Sequence, residues 1–233
     1  NRDYRDLPSP ALIGRTAGER TLRRLGTQRL STRETPVVFV AEVARSLFGN
    51  LVNAITGSSL YRKSSFLLDH LGKPVFPAFM HIHEQPLLKK ALGSAPYDSE
   101  GVATRARDIV TDGVLQGYVL NSYAACKLGM QTTGNAGGVR NLTIDPGKHD
   151  LDGLLREMDT GLLVTDLIGF GVNIVTGDYS RGAAGFWVEG GEIRYPVDEI
   201  TVAGNLKDMF AGIVEVGNDV DPNRAALHAE GVL

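Results

Sequence analysis

Two alternating runs, Ala184 to Glu189 and Glu192 to Val197, meet across Gly190-Gly191. A two-residue Gly-Gly link needs positive φ at both positions, so it commits this stretch to a tight antiparallel hairpin. Asp112-Gly113 makes the same kind of link between the runs Arg105 to Thr111 and Val114 to Leu120. Glycine accounts for 28 of 233 residues, roughly 12% against a usual ~7%. It follows no collagen period, so it marks turns and close backbone approaches. The late part of the chain therefore reads as hairpins, with further β-leaning runs at Leu162 to Leu167, Val172 to Thr176 and Glu199 to Val202. A short helix is expected to start at Leu206.

Helical signals come earlier. Ser9-Pro10 opens a helix that Gly26 would stop, with Leu12, Ile13, Leu22 and Leu25 as its apolar side and its arginines toward water. Pro36 to Val40 reads as a short buried strand. Val43, Leu47, Phe48, Leu51, Val52 and Ile55 then recur at helical spacing up to Gly57. Ser64 to Leu71 and Asp150 to Met158 are further helical segments. Helices early and hairpins late give an α+β fold, mainly antiparallel, barrel- or sandwich-like with flanking helices. We divide the chain into a helical segment, residues 1–35, and an α+β domain, residues 36–233.

Composition narrows the function. A net charge of −3 provides no general attraction to nucleic acid or anionic membranes. No apolar run reaches the ~18 residues of a membrane span, and the first ten residues lack the apolar core of a signal peptide. With a single cysteine, Cys126, no internal disulfide exists, and the cytosol is the expected compartment. Cys126 reads as a small buried hydrophobe rather than a nucleophile.

Longer motifs point to a family. GDYSRGAAGFWVE (Gly177 to Glu189), EITVAGNLKDM (Glu199 to Met209) and VGND (Val216 to Asp219) resemble the TldE/PmbA branch of the TldD/PmbA peptidases. So do SSLYRKSSFLLD (Ser58 to Asp69), PYDSEGVATR (Pro96 to Arg105), DGVLQGYVLNSYAACKLGM (Asp112 to Met130) and TTGNAGGVRN (Thr132 to Asn141). These segments cover most of the chain in the family's order. Members carry a further N-terminal α+β domain with no counterpart here, and a last strand beyond the stretch His228 to Leu233, so we read the sequence as a C-terminal part.

The resemblance implies where chemistry belongs and where it is missing. In TldD subunits a strand leads into a helix bearing HExxxH, whose histidines bind zinc and whose glutamate activates water. The corresponding residues here are Ala41-Glu42-Val43-Ala44-Arg45-Ser46. The carboxylate position survives as Glu42, but Ala41 and Ser46 replace the histidines. The cysteine that TldD subunits supply after the VGND-like segment is also absent from Pro222 to Gly231. No metal or catalytic residue is therefore expected in this chain, and zinc is expected in a TldD-like partner. Glu42 then reads as a first-turn carboxylate that favours the helix dipole.

His81 and His83 share one face if Ile82 lies in a strand, and could hold an ion given a third ligand from His70, His149 or His228. The plainer reading is the polar face of a strand whose Met80 and Ile82 turn inward. Asp178, Tyr179, Ser180 and Arg181 read as an exposed turn near a cleft, candidates for contact with peptide or partner. Phe186 and Trp187 alternate, so at least one belongs to the core. The glycine-rich stretches at Gly134 to Gly138 and Gly177 to Gly182 lack the spacing of a phosphate loop.

The expectation is the non-catalytic subunit of a heteromeric zinc peptidase acting on unfolded peptides, with a TldD-like partner and a possible homodimer. Extended peptides would pair with a strand edge. The alternatives are an autonomous metallohydrolase at His81/His83 and a regulatory module of the kind labelled a gyrase modulator. Nothing basic or aromatic-rich supports direct nucleic-acid contact.

Overall fold

A computed structural model describes residues 3–218 and 227–228. Most of the stretch Pro222 to Gly231, and the end from Ala229 to Leu233, lie outside the described residues. The architecture is α+β, with two sheets sharing one core. Strand β1 (Val37–Phe39) leads into helix α2 (Ala41–Ala54), preceded in the chain by α1 (Pro10–Leu22). The four-stranded sheet runs in the order β1, β6 (Gly161–Ile168), β7 (Asp178–Glu189), β8 (Glu192–Asn205). In it, β1 and β6 are parallel and the other pairs antiparallel. A five-stranded sheet runs β4 (Val114–Leu115), β3 (Arg107–Thr111), β2 (Ile82–Glu84), β5 (Leu142–Ile144), β9 (Leu227–His228). Only β5 and β9 are parallel there.

Both turn predictions hold because the backbone takes the required form. Gly190 and Gly191 have φ 63° and 72°, and Asp112 and Gly113 have φ 49° and 75°. The hairpin arms, however, differ in length: β4 has two residues, whereas β8 absorbs the run at Glu199 to Val202 into one long strand.

The four-stranded sheet buries both faces. Phe39, Leu162, Val164, Ala183 and Trp187 point into the main core, against Val43, Leu47, Phe48 and Leu51 of α2 and the second sheet's Ile82, Val110 and Ile144. Their neighbours Val38, Leu163, Phe186 and Val188 face the other way, onto Leu154, Leu155 and Met158 of α5 (Leu151–Met158). This is the period-two alternation of a strand covered on each side. Phe186 and Trp187 are thus both core residues, one per face.

Three expectations fail for local reasons. Ser64 to Leu71 forms successive turns, not a helix. The Ser65 hydroxyl donates to the Ala54 carbonyl at 2.6 Å, while Lys63 and Asp69 adopt positive φ; side-chain bonding of this kind competes with helix formation. Gly57 does not end α2 but opens α3 (Gly57–Tyr61), where a Cβ would strike Ala124 of α4 (Ser122–Leu128). Val172 to Thr176 is a turn with one isolated bridge, Val172 to Tyr179. The short helix at Leu206 is present as α6 (Leu206–Ala211), capped by the Asn205 side chain.

Helix α1 also corrects its amphipathic reading. Ser9 caps it and Pro10 opens it, but it ends at Leu22 and buries no residue. Leu12, Ile13, Leu22 and Leu25 are all exposed. Its arginines, Arg15 and Arg20, are exposed as expected, with Arg20 also reaching the Glu42 carboxylate. Among the described residues, no helix is long and apolar enough to cross a membrane.

Candidate functional site

Arg20 of α1, with Arg23 and Arg24 in the turn that follows it, lines a cleft of about 690 Å³. Its floor is the junction of β1 with α2, so Ala41, Glu42 and Ser46 all line it. β6 contributes Leu163, Thr165 and Asp166, β7 contributes Arg181 and Phe186, and α5 contributes Leu151 and Leu155. The strand-to-helix geometry expected around the degenerate motif is therefore present, and the motif opens onto a space of ligand size.

The electrostatics of the cleft are set by four guanidinium groups. Arg20 donates to Glu42 at 2.6 Å, and Arg24 pairs with Asp166 and donates to Thr165 at 3.1 Å. Arg23 lies over the Phe186 ring, 5.3 Å from its centroid. Arg181 donates to the Leu167 carbonyl at 3.4 Å, with its Nε buried and lacking a hydrogen-bond partner. The Ser46 Oγ is also buried without a hydrogen-bond partner. Chemically the cleft offers the carboxylates of Glu42 and Asp166, each paired with an arginine, that of Asp152, hydroxyl groups and no imidazole. A zinc ion needs three or four N, S or carboxylate ligands in tetrahedral array, and Ala41 has nothing to donate. The residues at this junction do not fit the metal.

Of the four residues read as an exposed turn, only Arg181 reaches the cleft. They lie at the start of β7, an extended strand, so alternation separates them. Tyr179 is 1% exposed, and burial pushes its hydroxyl pKa up, with the Arg181 charge pulling partly against that. Asp178 and Ser180 are exposed on the other side, Asp178 accepting from Thr176 at 2.6 Å. The sequence missed Arg20, at the end of α1, and Arg23 and Arg24, in the turn after it, which belong to no motif.

The histidine pair sits elsewhere, on the second sheet. Met80 and Ile82 are buried as expected, and the His81 and His83 rings stack with centroids 6.4 Å apart. Both ring nitrogens of His83 are engaged by carboxylates, Nδ1 with Asp108 at 2.7 Å and Nε2 with Asp145 at 2.8 Å. His81 faces Asp112 at 3.4 Å. His70 bonds the Leu68 carbonyl and His149 bonds Glu215. Among the described residues no group of three or more such side chains is placed to hold a metal ion.

Partial burial alone would lower the pKa of His83, but the hydrogen bond it donates to Asp108 and the charge of Asp145 raise it above the ordinary imidazole value. A raised folded-state pKa means that this contribution to stability is complete below about pH 6.5 and is lost as pH rises through the raised value. An NMR titration should find His83 protonated above the ordinary range, returning toward it when Asp108→Asn and Asp145→Asn are combined. Titration at or below the ordinary value in the unmodified protein would contradict the geometry.

Cys126 is exposed on α4 rather than buried. The TTGNAGG loop has its anion place filled from within. The Asp98 carboxylate accepts from the backbone N–H groups of Ala136 (2.8 Å), Val102 (2.9 Å) and Glu100 (2.9 Å). Burial alone would raise the Asp98 pKa, but those three donors, with Arg140 nearby, hold it below the usual carboxylate range.

Known proteins share this sequence and fold. The profile of the PmbA/TldA metallopeptidase C-terminal domain matches residues 32–229. Metalloprotease PmbA of Escherichia coli O157:H7 is 56% identical over 232 residues, covering 100% of this chain and 51% of that protein. The Haemophilus influenzae PmbA homolog is 53% identical over 234 residues, covering 100% of this chain and 52% of its own. The chain spans about half the length of the curated relatives it matches. A crystal structure from Bacteroides thetaiotaomicron, of a protein described as a modulator of DNA gyrase, superposes with TM-score 0.92 at 34% identity, over 98% of this chain and 52% of that one. TldE of Thermococcus kodakarensis shares the fold, with TM-score 0.83 at 24% identity over 95% of this chain and 53% of that one. The chain belongs to the PmbA/TldA metallopeptidase C-terminal domain family.

Proposed function

We propose that this chain is part of the non-catalytic subunit of a heteromeric zinc peptidase, in which a TldD-like partner holds the zinc and this subunit completes the space that encloses unfolded peptides. The observation that carries this reading is the β1–α2 junction. The cleft is kept, but Ala41 and Ser46 stand where the resemblance places histidines, and Arg20 holds the surviving Glu42 in an ion pair. A carboxylate paired with a guanidinium, beside an alanine and a serine in place of imidazoles, lacks the ligands that would present it with an activated water.

The sheet supports a way of holding peptides. β8 ends the four-stranded sheet, and the described residues cover its outer edge only through the bridge from Gln28 to Val197. An extended peptide can pair with such an edge through its backbone, largely independent of sequence. No observation favours an autonomous metallohydrolase, because carboxylates occupy both nitrogens of His83. A direct nucleic-acid role finds no support in a chain of net charge −3.

Elemental analysis of the purified full-length protein tests the metal assignment. Zinc should be far below one equivalent and unaffected by His81→Ala. One equivalent that His81→Ala abolishes would restore the metallohydrolase reading and overturn this one.

A further inference from the structure

The cleft beneath α1 holds more positive charge than its ion pairs neutralise. Glu42 and Asp166 answer Arg20 and Arg24. Arg23 from the roof and Arg181 from the floor line the same space, and neither has a carboxylate partner among the described residues. The remaining carboxylate of the lining, Asp152, is exposed in the first turn of α5 at the rim. The same space has apolar lining from Phe186, Leu163, Leu155 and Val43, with Arg23 over the Phe186 ring. Arg23 is exposed, whereas Arg181 is half-buried with its Nε lacking a partner, and a partly desolvated charge is costly until an anion pairs with it. At about 690 Å³ the cleft has the size of sites that hold small ligands.

We propose that this cleft binds the C-terminal carboxylate of a peptide whose last side chain is apolar. The carboxylate sits between Arg181 and Arg23, a planar acceptor matched to the guanidinium fork. The terminal side chain packs on Phe186 and Leu163. Arg20 and Arg24 keep Glu42 and Asp166 neutralised, so neither repels the incoming anion. The choice of a peptide as the carrier of the carboxylate rests on the peptide-handling function proposed above, but binding requires no partner subunit.

Fluorescence anisotropy with the full-length protein alone tests this, using a dye-labelled tetrapeptide ending in leucine. The free acid should bind at least about tenfold more tightly than its C-terminal amide, the loss expected for one charged hydrogen-bonded contact. Arg181→Gln should remove that preference, and so should Arg23→Gln, a change at an exposed residue just after a helix that buries no residue, which leaves the fold intact. Arg194→Gln, an arginine paired with Glu192 outside the cleft, should change nothing. Equal affinity for acid and amide, or a preference that survives both cleft variants, would overturn the proposal. So would equal binding of an amidated peptide carrying an internal glutamate, since that would make any carboxylate sufficient. Because no partner is present, these results are independent of whether the mixed subunits show peptidase activity.

Discussion

Glu84→Ala is expected to cost about 3–5 kcal/mol of folding stability, the usual result of removing one member of a buried ion pair. Glu84 is 2% exposed and its carboxylate is fully engaged. It accepts from Arg107 Nε at 2.8 Å, from Asn135 Nδ2 at 2.7 Å and from the Arg140 backbone N–H at 2.7 Å. Arg107 in turn donates to the Tyr118 carbonyl and to Asn135 Oδ1, both at 2.8 Å. Alanine would leave a guanidinium, an amide and a backbone N–H without their acceptor in the interior, and each carries its own desolvation penalty. The network joins β2 and β3 to the TTGNAGG loop, so the family-like wording of that loop has a structural cause. Urea denaturation should show a lowered midpoint with an unchanged slope. Glu84→Gln, which keeps the acceptor but not the charge, should fall between. A loss under about 1 kcal/mol would mean that the pair is far less desolvated than its burial indicates.

What could be read from the sequence was what local backbone chemistry decides. Gly190-Gly191 and Asp112-Gly113 announce turns because few other pairs accept positive φ at both positions. Ser9, Asp150 and Asn205 cap helices as their side chains dictate. The β1–α2 junction was legible because Val43, Leu47 and Leu51 repeat with the period of a buried helix. Errors arose where a distant residue overrode the local signal. Ser65 bonds Ala54 instead of its own helix, Gly57 serves a packing contact with Ala124, and Tyr179 fills the core although glycines flank it.

The cleft itself was hidden for the same reason. Arg20, Ser46, Leu155, Asp166 and Arg181 come from five elements spread over most of the chain, and no periodicity relates them. The motif positions Ala41, Glu42 and Ser46 were named from the family resemblance, and the fold then places them on the floor of a common space. Cys126 shows the converse error: it was read as buried, but which side of α4 faces water depends on α3 packing against it at Gly57.

Peptidase activity on an unfolded peptide, with zinc present, tests the central claim most directly. Three samples decide it: the full-length protein alone, a TldD-like subunit alone, and the two together. Under the proposed function, turnover should appear only in the mixture, and histidine-to-alanine changes in the partner's HExxxH should abolish it, because the proposal places the zinc-bound water in that subunit. Glu42→Gln in this protein should leave that turnover intact, since Arg20 already holds the carboxylate. Zinc-dependent turnover by this protein alone would contradict the account and send the search for the active site back to His81 and His83.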